Sequence, residues 1–193
     1  MEILTLNKRA NKTANKTRSE RREGKVPGVI YGKTIGNLMF EISATTLKSE
    51  LSIIGDHGVI NFDLEGKKGT AVIKELQKDP LSHKVIHIDL EEVSKDVKME
   101  AEVPIRFTGK DLLNTRGLVL QAQKDLVKVS CIPDKLPKHI DVDVSKAEAG
   151  TVYSFGDLKI DDGISIVDDL TGVFAAITEE QEDINNEPEE LES

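Results

Sequence analysis

Apolar and polar residues alternate along much of this chain with a period of two. Leu38, Phe40 and Ile42 alternate with Met39 and Glu41, Ile60, Phe62 and Leu64 with Asn61 and Asp63, and Ile86, Ile88 and Leu90 with His87 and Asp89. That period puts one set of side chains on a buried face and the other on an open one, the mark of half-buried strands. Residues 2–7, 29–31 and 70–77 add further strand segments, the last forming a hairpin with the 60–64 strand across a loop at 65–69. Val26-Pro27-Gly28 reads as a turn leading into the 29–31 segment. Helical spacing appears at Leu47, Leu51 and Ile54, with Gly55 as the stop. Short strands, one or two helices and brief connections predict a small β-barrel.

After Val93-Ser94 the pattern restarts, with Val97, Met99, Ala101 and Val103 alternating against Lys98, Glu100 and Glu102. The domain boundary is placed there. Strands are expected at 126–131, 140–144, 152–155, 164–167 and 173–177, punctuated by Pro133, Pro137, Gly150, Gly156, Gly163 and Gly172. The predicted organisation is a barrel domain over 1–93, a mostly antiparallel β domain over 94–178 and a tail over 179–193. That tail carries eight carboxylates and no basic residue, so it lacks the apolar burial that offsets ordering entropy and is expected to be disordered. The fold class is mostly β with a few short helices.

Charge changes the picture. The 193 residues carry a net −9, which argues against a polyanionic partner, yet residues 1–33 hold nine basic groups against three acidic ones. Residues 93–193 hold 11 basic and 22 acidic groups, so the ends of the chain differ in sign. Residues 8–16 read as a mobile basic arm. Thr17 followed by Glu20 matches a capping box and Gly24 a left-handed stop, predicting a helix over 18–23 with Arg18, Arg21 and Arg22 on one face. Clustered guanidiniums suit phosphates, because the planar fork makes paired hydrogen bonds and each neutralised phosphate releases counterions. A solvated helix face is the competing reading.

His87 and Asp89 share the open face of their strand, about 7 Å apart along it. A solvated strand face and a catalytic dyad are the two readings. No G-x-S-x-G, phosphate-cradling glycine motif or metal-ligand histidine spacing accompanies the pair, so no enzyme, metal or cofactor is expected. Tyr31 suits either stacking on a nucleotide or a place in the core with its hydroxyl at the rim. Lys74 falls on the face that Val72 would bury, which leaves its placement open. The lone Cys131 excludes an internal disulfide, and no run is long and apolar enough for a membrane span, so a cytoplasmic location is expected.

Residues 21–32, Arg-Arg-Glu-Gly-Lys-Val-Pro-Gly-Val-Ile-Tyr-Gly, followed by Ile-Lys-Glu-Leu-Gln-Lys-Asp-Pro at 73–80 and His-Ile-Asp at 87–89, resemble the bacterial large-subunit ribosomal proteins that bind 5S ribosomal RNA. Residues 131–145 resemble the second domain of that family's long form, also called general stress protein CTC, and the likeness spans about residues 1–178. The resemblance implies a six-stranded barrel docked on the loop E region of 5S RNA from its widened minor groove, with no catalysis. Carried over by position, Arg21, Arg22, Tyr31, His87 and Asp89 are the implied RNA contacts, with Lys74 and an arm residue, Arg9 or Lys12, beside them; Arg18 is added as an RNA-binding candidate from its place on the same helix face. Neighbouring ribosomal proteins are further implied partners, and a monomer is implied off the ribosome. The alternative from another class is a stress-related protein-interaction module using the acidic second domain. Leu90 stands where the family usually has Phe, and Glu20 and Glu23 dilute the helix charge.

Overall fold

The computed structural model describes residues 3–9 and 14–179. Six strands, β1 (Ile3–Lys8), β2 (Lys25–Gly32), β3 (Gly36–Ser43), β4 (Val59–Leu64), β5 (Lys67–Lys78) and β6 (Val85–Val93), close into a barrel in the order β1-β3-β2-β6-β5-β4. Alternation dictates its interior: Leu4, Leu6, Ile30, Phe40, Ile42, Ile60, Phe62, Leu64, Ile88 and Leu90 are all buried. Between β3 and β4, helix α2 (Ala44–Ile54) adds Leu47 and Ile54 to this core and stops at Gly55.

With no Trp available, two Phe side chains supply the bulk, and each lies over a glycine on the neighbouring strand. Gly28 pairs with Phe40 and Gly69 with Phe62. A Cβ on Gly28 would lie 2.5 Å from Phe40 Cζ, and one on Gly69 2.7 Å from Phe62 Cζ. The Val26-Pro27-Gly28 segment is therefore strand, not turn, and Gly28 is selected by the ring it faces. Pro27 is tolerated because β6 joins β2 only from Gly28 onward. The β4–β5 connection is also tighter than the sequence suggested: Leu64 pairs with Lys67, and Glu65 and Gly66 form a two-residue turn at φ 52° and 88°.

The remaining strands are β7 (Met99–Thr108), β8 (Leu118–Ala122), β9 (Leu126–Cys131), β10 (Ile140–Asp143), β11 (Val152–Ser154), β12 (Ser165–Ile166) and β13 (Val173–Glu179), with helix α3 (Lys110–Asn114) after β7. They form a four-stranded sheet, β10-β7-β9-β12, and a three-stranded one, β11-β13-β8. The pairings are antiparallel except β10 beside β7, which is parallel. Phe174 centres their core, with the rings of Phe107, Tyr153 and Phe155 at 6.0, 6.2 and 5.4 Å. Sequence patterning missed α3 and β8, short elements whose burial alternates poorly.

Cys131 lies in this core at 0% exposure, and burial pushes its thiol pKa up, away from the reactive thiolate. It is expected to ignore a thiol reagent in the native protein and to react fully in denaturant. Rapid native labelling would contradict this packing.

Where the barrel meets the second sheet system, Val59 and Val72 on the barrel wall pack with Met99 and Ala101 of β7. Lys74 reinforces this seam. Its ammonium donates to the Glu100 carbonyl at 2.7 Å and pairs with Glu91 at 2.9 Å.

Candidate nucleic-acid interface

The outward face of β6 carries His87, Asp89 and Glu91, since Ile88 and Leu90 point inward. On one side Val29 and Tyr31 of β2 pair with Asp89 and Glu91, and on the other Glu75 and Gln77 of β5 pair with Asp89 and His87. The strand repeat spaces His87 and Asp89 about 7 Å apart, but the two side chains turn toward each other, with Nδ1 2.8 Å from Oδ1. Both are about 30% exposed or less, at 27% and 30%. With Nδ1 engaged by the carboxylate, Nε2 is the ring atom left for a ligand. Tyr31 is half-buried, and burial, then Glu91, Asp89 and Glu75, hold its hydroxyl pKa up, so it remains a hydrogen-bond donor.

Glu75 and Gln77 were not singled out from the sequence. A register shift between Ile73 and Glu75 breaks the alternation of β5 at Lys74 and brings Glu75 and Gln77 to the open face, where Gln77 Nε2 donates to Glu75 at 2.8 Å. The adjacent polar pair Lys74-Glu75 inside an apolar strand was the available signal. The same bulge settles where Lys74 lies, with its ammonium at the β7 seam and its side chain 32% exposed.

Helix α1 (Ala14–Arg22) begins before the predicted 18–23 segment. Thr17 consequently sits inside the helix and is not its N-cap, while Gly24, at φ 78°, supplies the expected stop. Arg18, Arg21 and Arg22 are exposed on one face, as their spacing requires. Arg21 also ties the helix to the strand face, its Nε donating to the Ile86 carbonyl at 3.0 Å, one residue before His87. Arg9, at the start of the segment read as a basic arm, lies against the helix. Its side chain is 9% exposed, with Nη2 2.8 Å from Glu20 Oε2, because β1 delivers it beneath α1. Lys12 and the tail from residue 180 onward lie outside the described residues.

The structure thus brings the three helix arginines, Tyr31, His87 and Asp89 around β2 and β6, and draws Arg9 and Lys74 into internal contacts. Among the described residues no cluster of His, Cys, Asp or Glu could hold a metal ion, and no helix is long and apolar enough to cross a membrane. The helix cations thus lie beside a strand face that bears hydrogen-bond donors and acceptors.

Similarity to known proteins extends along nearly the whole chain. The Ribosomal L25p family matches residues 4–90, and the family described as Ribosomal protein TL5, C-terminal domain, matches residues 98–181. The large ribosomal subunit protein bL25 of Clostridium perfringens is 38% identical over 187 residues, covering 97% of this chain and 93% of the relative. The bL25 protein of Caldicellulosiruptor saccharolyticus is 35% identical over 187 residues, covering 97% and 91%. That of Desulforamulus reducens is 34% identical over 141 residues, covering 72% and 67%. The chain belongs to the bL25 family of ribosomal proteins, in its long two-domain form, and is not an enzyme.

Proposed function

We propose that this protein, as a component of the large ribosomal subunit in the cytoplasm, binds 5S ribosomal RNA at its loop E region through the composite face of α1, β2 and β6. Residues 1–93 act as the RNA-binding unit and 94–178 as a second unit. The observation that carries the proposal is the Arg21 bond to the Ile86 carbonyl, which sets three guanidiniums beside the His87–Asp89 pair. Double-stranded RNA presents phosphates, ribose hydroxyls and minor-groove base edges, and hides its major groove. The two halves of the face match those two kinds of target. Arg18, Arg21 and Arg22 grip phosphates; Asp89 accepts from a guanine amino group or a ribose hydroxyl; His87 and Tyr31 supply further polar contacts.

An acidic side chain beside a polyanion weakens general attraction, so Asp89 contributes through selectivity. Asp89→Ala is expected to reduce the preference for 5S RNA over a loop E-scrambled RNA by about 1–3 kcal/mol, with little loss of binding to the scrambled form. Competition gel shifts measure this directly. If the wild type binds both RNAs equally, the loop E assignment is wrong. The excess of 22 acidic over 11 basic residues in 93–193 keeps the second unit off the RNA and turns it toward neighbouring ribosomal proteins.

A further inference from the structure

Residues 93–193 carry 22 acidic and 11 basic groups, yet among the described residues the outward face of the β11-β13-β8 sheet carries neither sign. Leu120, Ala175 and Ile177 belong to the core, so alternation sends Val119 and Gln121 of β8, Val152 and Ser154 of β11, and Ala176 and Thr178 of β13 to the other side. The register sets them side by side: Val152 and Gln121 flank Ala176, and Val119 lies across from Thr178.

Apolar side chains extend this face at one end. Val173 pairs with Ser154, and two residues beyond Ser154 the Gly156 N–H donates to the Leu170 carbonyl at 2.9 Å. Val152, Val173 and Leu170 are 54%, 37% and 55% exposed. The turn that presents Leu170 is fixed by Asp169, whose carboxylate accepts from the Thr171 N–H and hydroxyl at 3.0 and 2.8 Å. Single exposed apolar residues are ordinary, but three beside an uncharged strand face in a highly charged unit form a patch of the kind that marks protein contact. Exposed carboxylates rim it. Glu148 and Glu179 stand at the end where Thr151 meets Ile177, and Asp157 at the other, accepting from the Ser154 N–H at 2.8 Å. An apolar centre without charge inside a charged rim is the anatomy of a protein interface.

Charge selects the occupant. The acidic rim repels RNA, and it repels a second copy of this unit, which bears the same acidic excess. We infer that this face docks a basic segment of a neighbouring ribosomal protein, with Val152, Val173 and Leu170 covered by its apolar side chains and Glu148, Asp157 and Glu179 facing its lysines or arginines. The inference rests on the reading above, in which the second unit turns away from RNA, and it names the surface used.

The test uses the full chain. Cys131 is the sole cysteine and is buried, so Val152→Cys supplies an accessible thiol to carry a photoactivatable cross-linker. The labelled chain is bound to large ribosomal subunits purified without this protein and illuminated. Attachment to a basic ribosomal protein is expected; attachment to ribosomal RNA or to a second copy, or no attachment, overturns the inference. In a second measurement, Val152→Glu with Val173→Glu is expected to lower affinity for those subunits about tenfold, because it buries carboxylates against apolar groups, while binding to free 5S RNA stays within about twofold of the wild type. Unchanged affinity for the subunits overturns the inference, as does an equal loss on free 5S RNA with Cys131 still protected from a thiol reagent. If that protection is lost, Val152→Glu alone is judged by the same criterion. Absence of wild-type binding to free 5S RNA counts against the RNA-binding reading, and the cross-link then decides the inference by itself.

Discussion

Gly28→Ala is expected to destabilise the barrel by about 3 kcal/mol, the upper end of the usual cost of overpacking a filled core. The added methyl meets three atoms at once: Phe40 Cζ at 2.5 Å, the Ile88 carbonyl oxygen at 2.6 Å and Ile88 Cγ2 at 2.8 Å. A ring can shift, but the carbonyl belongs to the β2–β6 ladder, where Gly28 pairs with Ile88. Relief therefore requires β2 to move away from β6. Shortening Phe40 to Leu in the same chain should rescue only part of the loss. At roughly 2–4 °C per kcal/mol for a chain of this size, the barrel's unfolding midpoint should fall by about 6–12 °C. Gly24→Ala provides the contrast: φ is 78° but nothing lies within 4 Å of the added Cβ, so only backbone strain of about 1–2 kcal/mol is expected. RNA binding should suffer more in Gly28→Ala, since the next pair along the ladder, Val29 with Asp89, carries the proposed binding face. An unchanged midpoint would show that the barrel does not close as described.

The cost at Gly28 shows what sequence patterning reads well and what it misreads. Strict alternation located β3, β4 and β6, because one face of each is buried and a shift by one residue would expose it. Local chemistry located the stops at Gly24 and Gly55 for the same kind of reason: only glycine adopts those backbone angles cheaply. Gly28 carries no such local reason. It is glycine because of a ring on β3 and a backbone carbonyl on β6, so a Pro-Gly pair that usually marks a turn here lies within a strand.

The site divides along the same line. Residue type and helical spacing put Arg18, Arg21 and Arg22 on one exposed face, and strand spacing puts His87 with Asp89 on the open face of β6. What those residues are free to do was not legible. Arg9 and Lys74 have the same chemistry as the exposed cations, yet each is fixed by a residue far along the chain or on another element, Glu20 and Glu100. Glu20 looked like a dilution of the helix charge and proved to be its buried counterpart. The bulge at Lys74, which brings Glu75 and Gln77 to the open face, depends on how β5 pairs with β6 and leaves only a faint trace in the sequence.

Replacing both Arg21 and Arg22 by Ala is expected to weaken 5S RNA binding about a hundredfold at moderate salt. The figure takes about 1.5 kcal/mol for each charge-assisted contact, close to tenfold apiece. The log–log salt slope should shrink by about two, because each phosphate no longer neutralised retains its counterion. The single substitutions should separate charge from geometry. Arg22 is exposed and makes no ion pair among the described residues, so Arg22→Lys keeps the charge and should cost little beyond the lost fork. Arg21 has a second task, since its Nε holds the Ile86 carbonyl at 3.0 Å and thereby seats α1 against the strand face. Arg21→Lys should therefore preserve the salt slope while lowering affinity several-fold, with reduced amide protection in α1. If Arg21→Lys binds like the wild type, the tie to Ile86 is incidental and charge alone carries the contact. If the double Ala variant keeps its salt slope, the helix does not face the RNA, and the composite face proposed here is wrong.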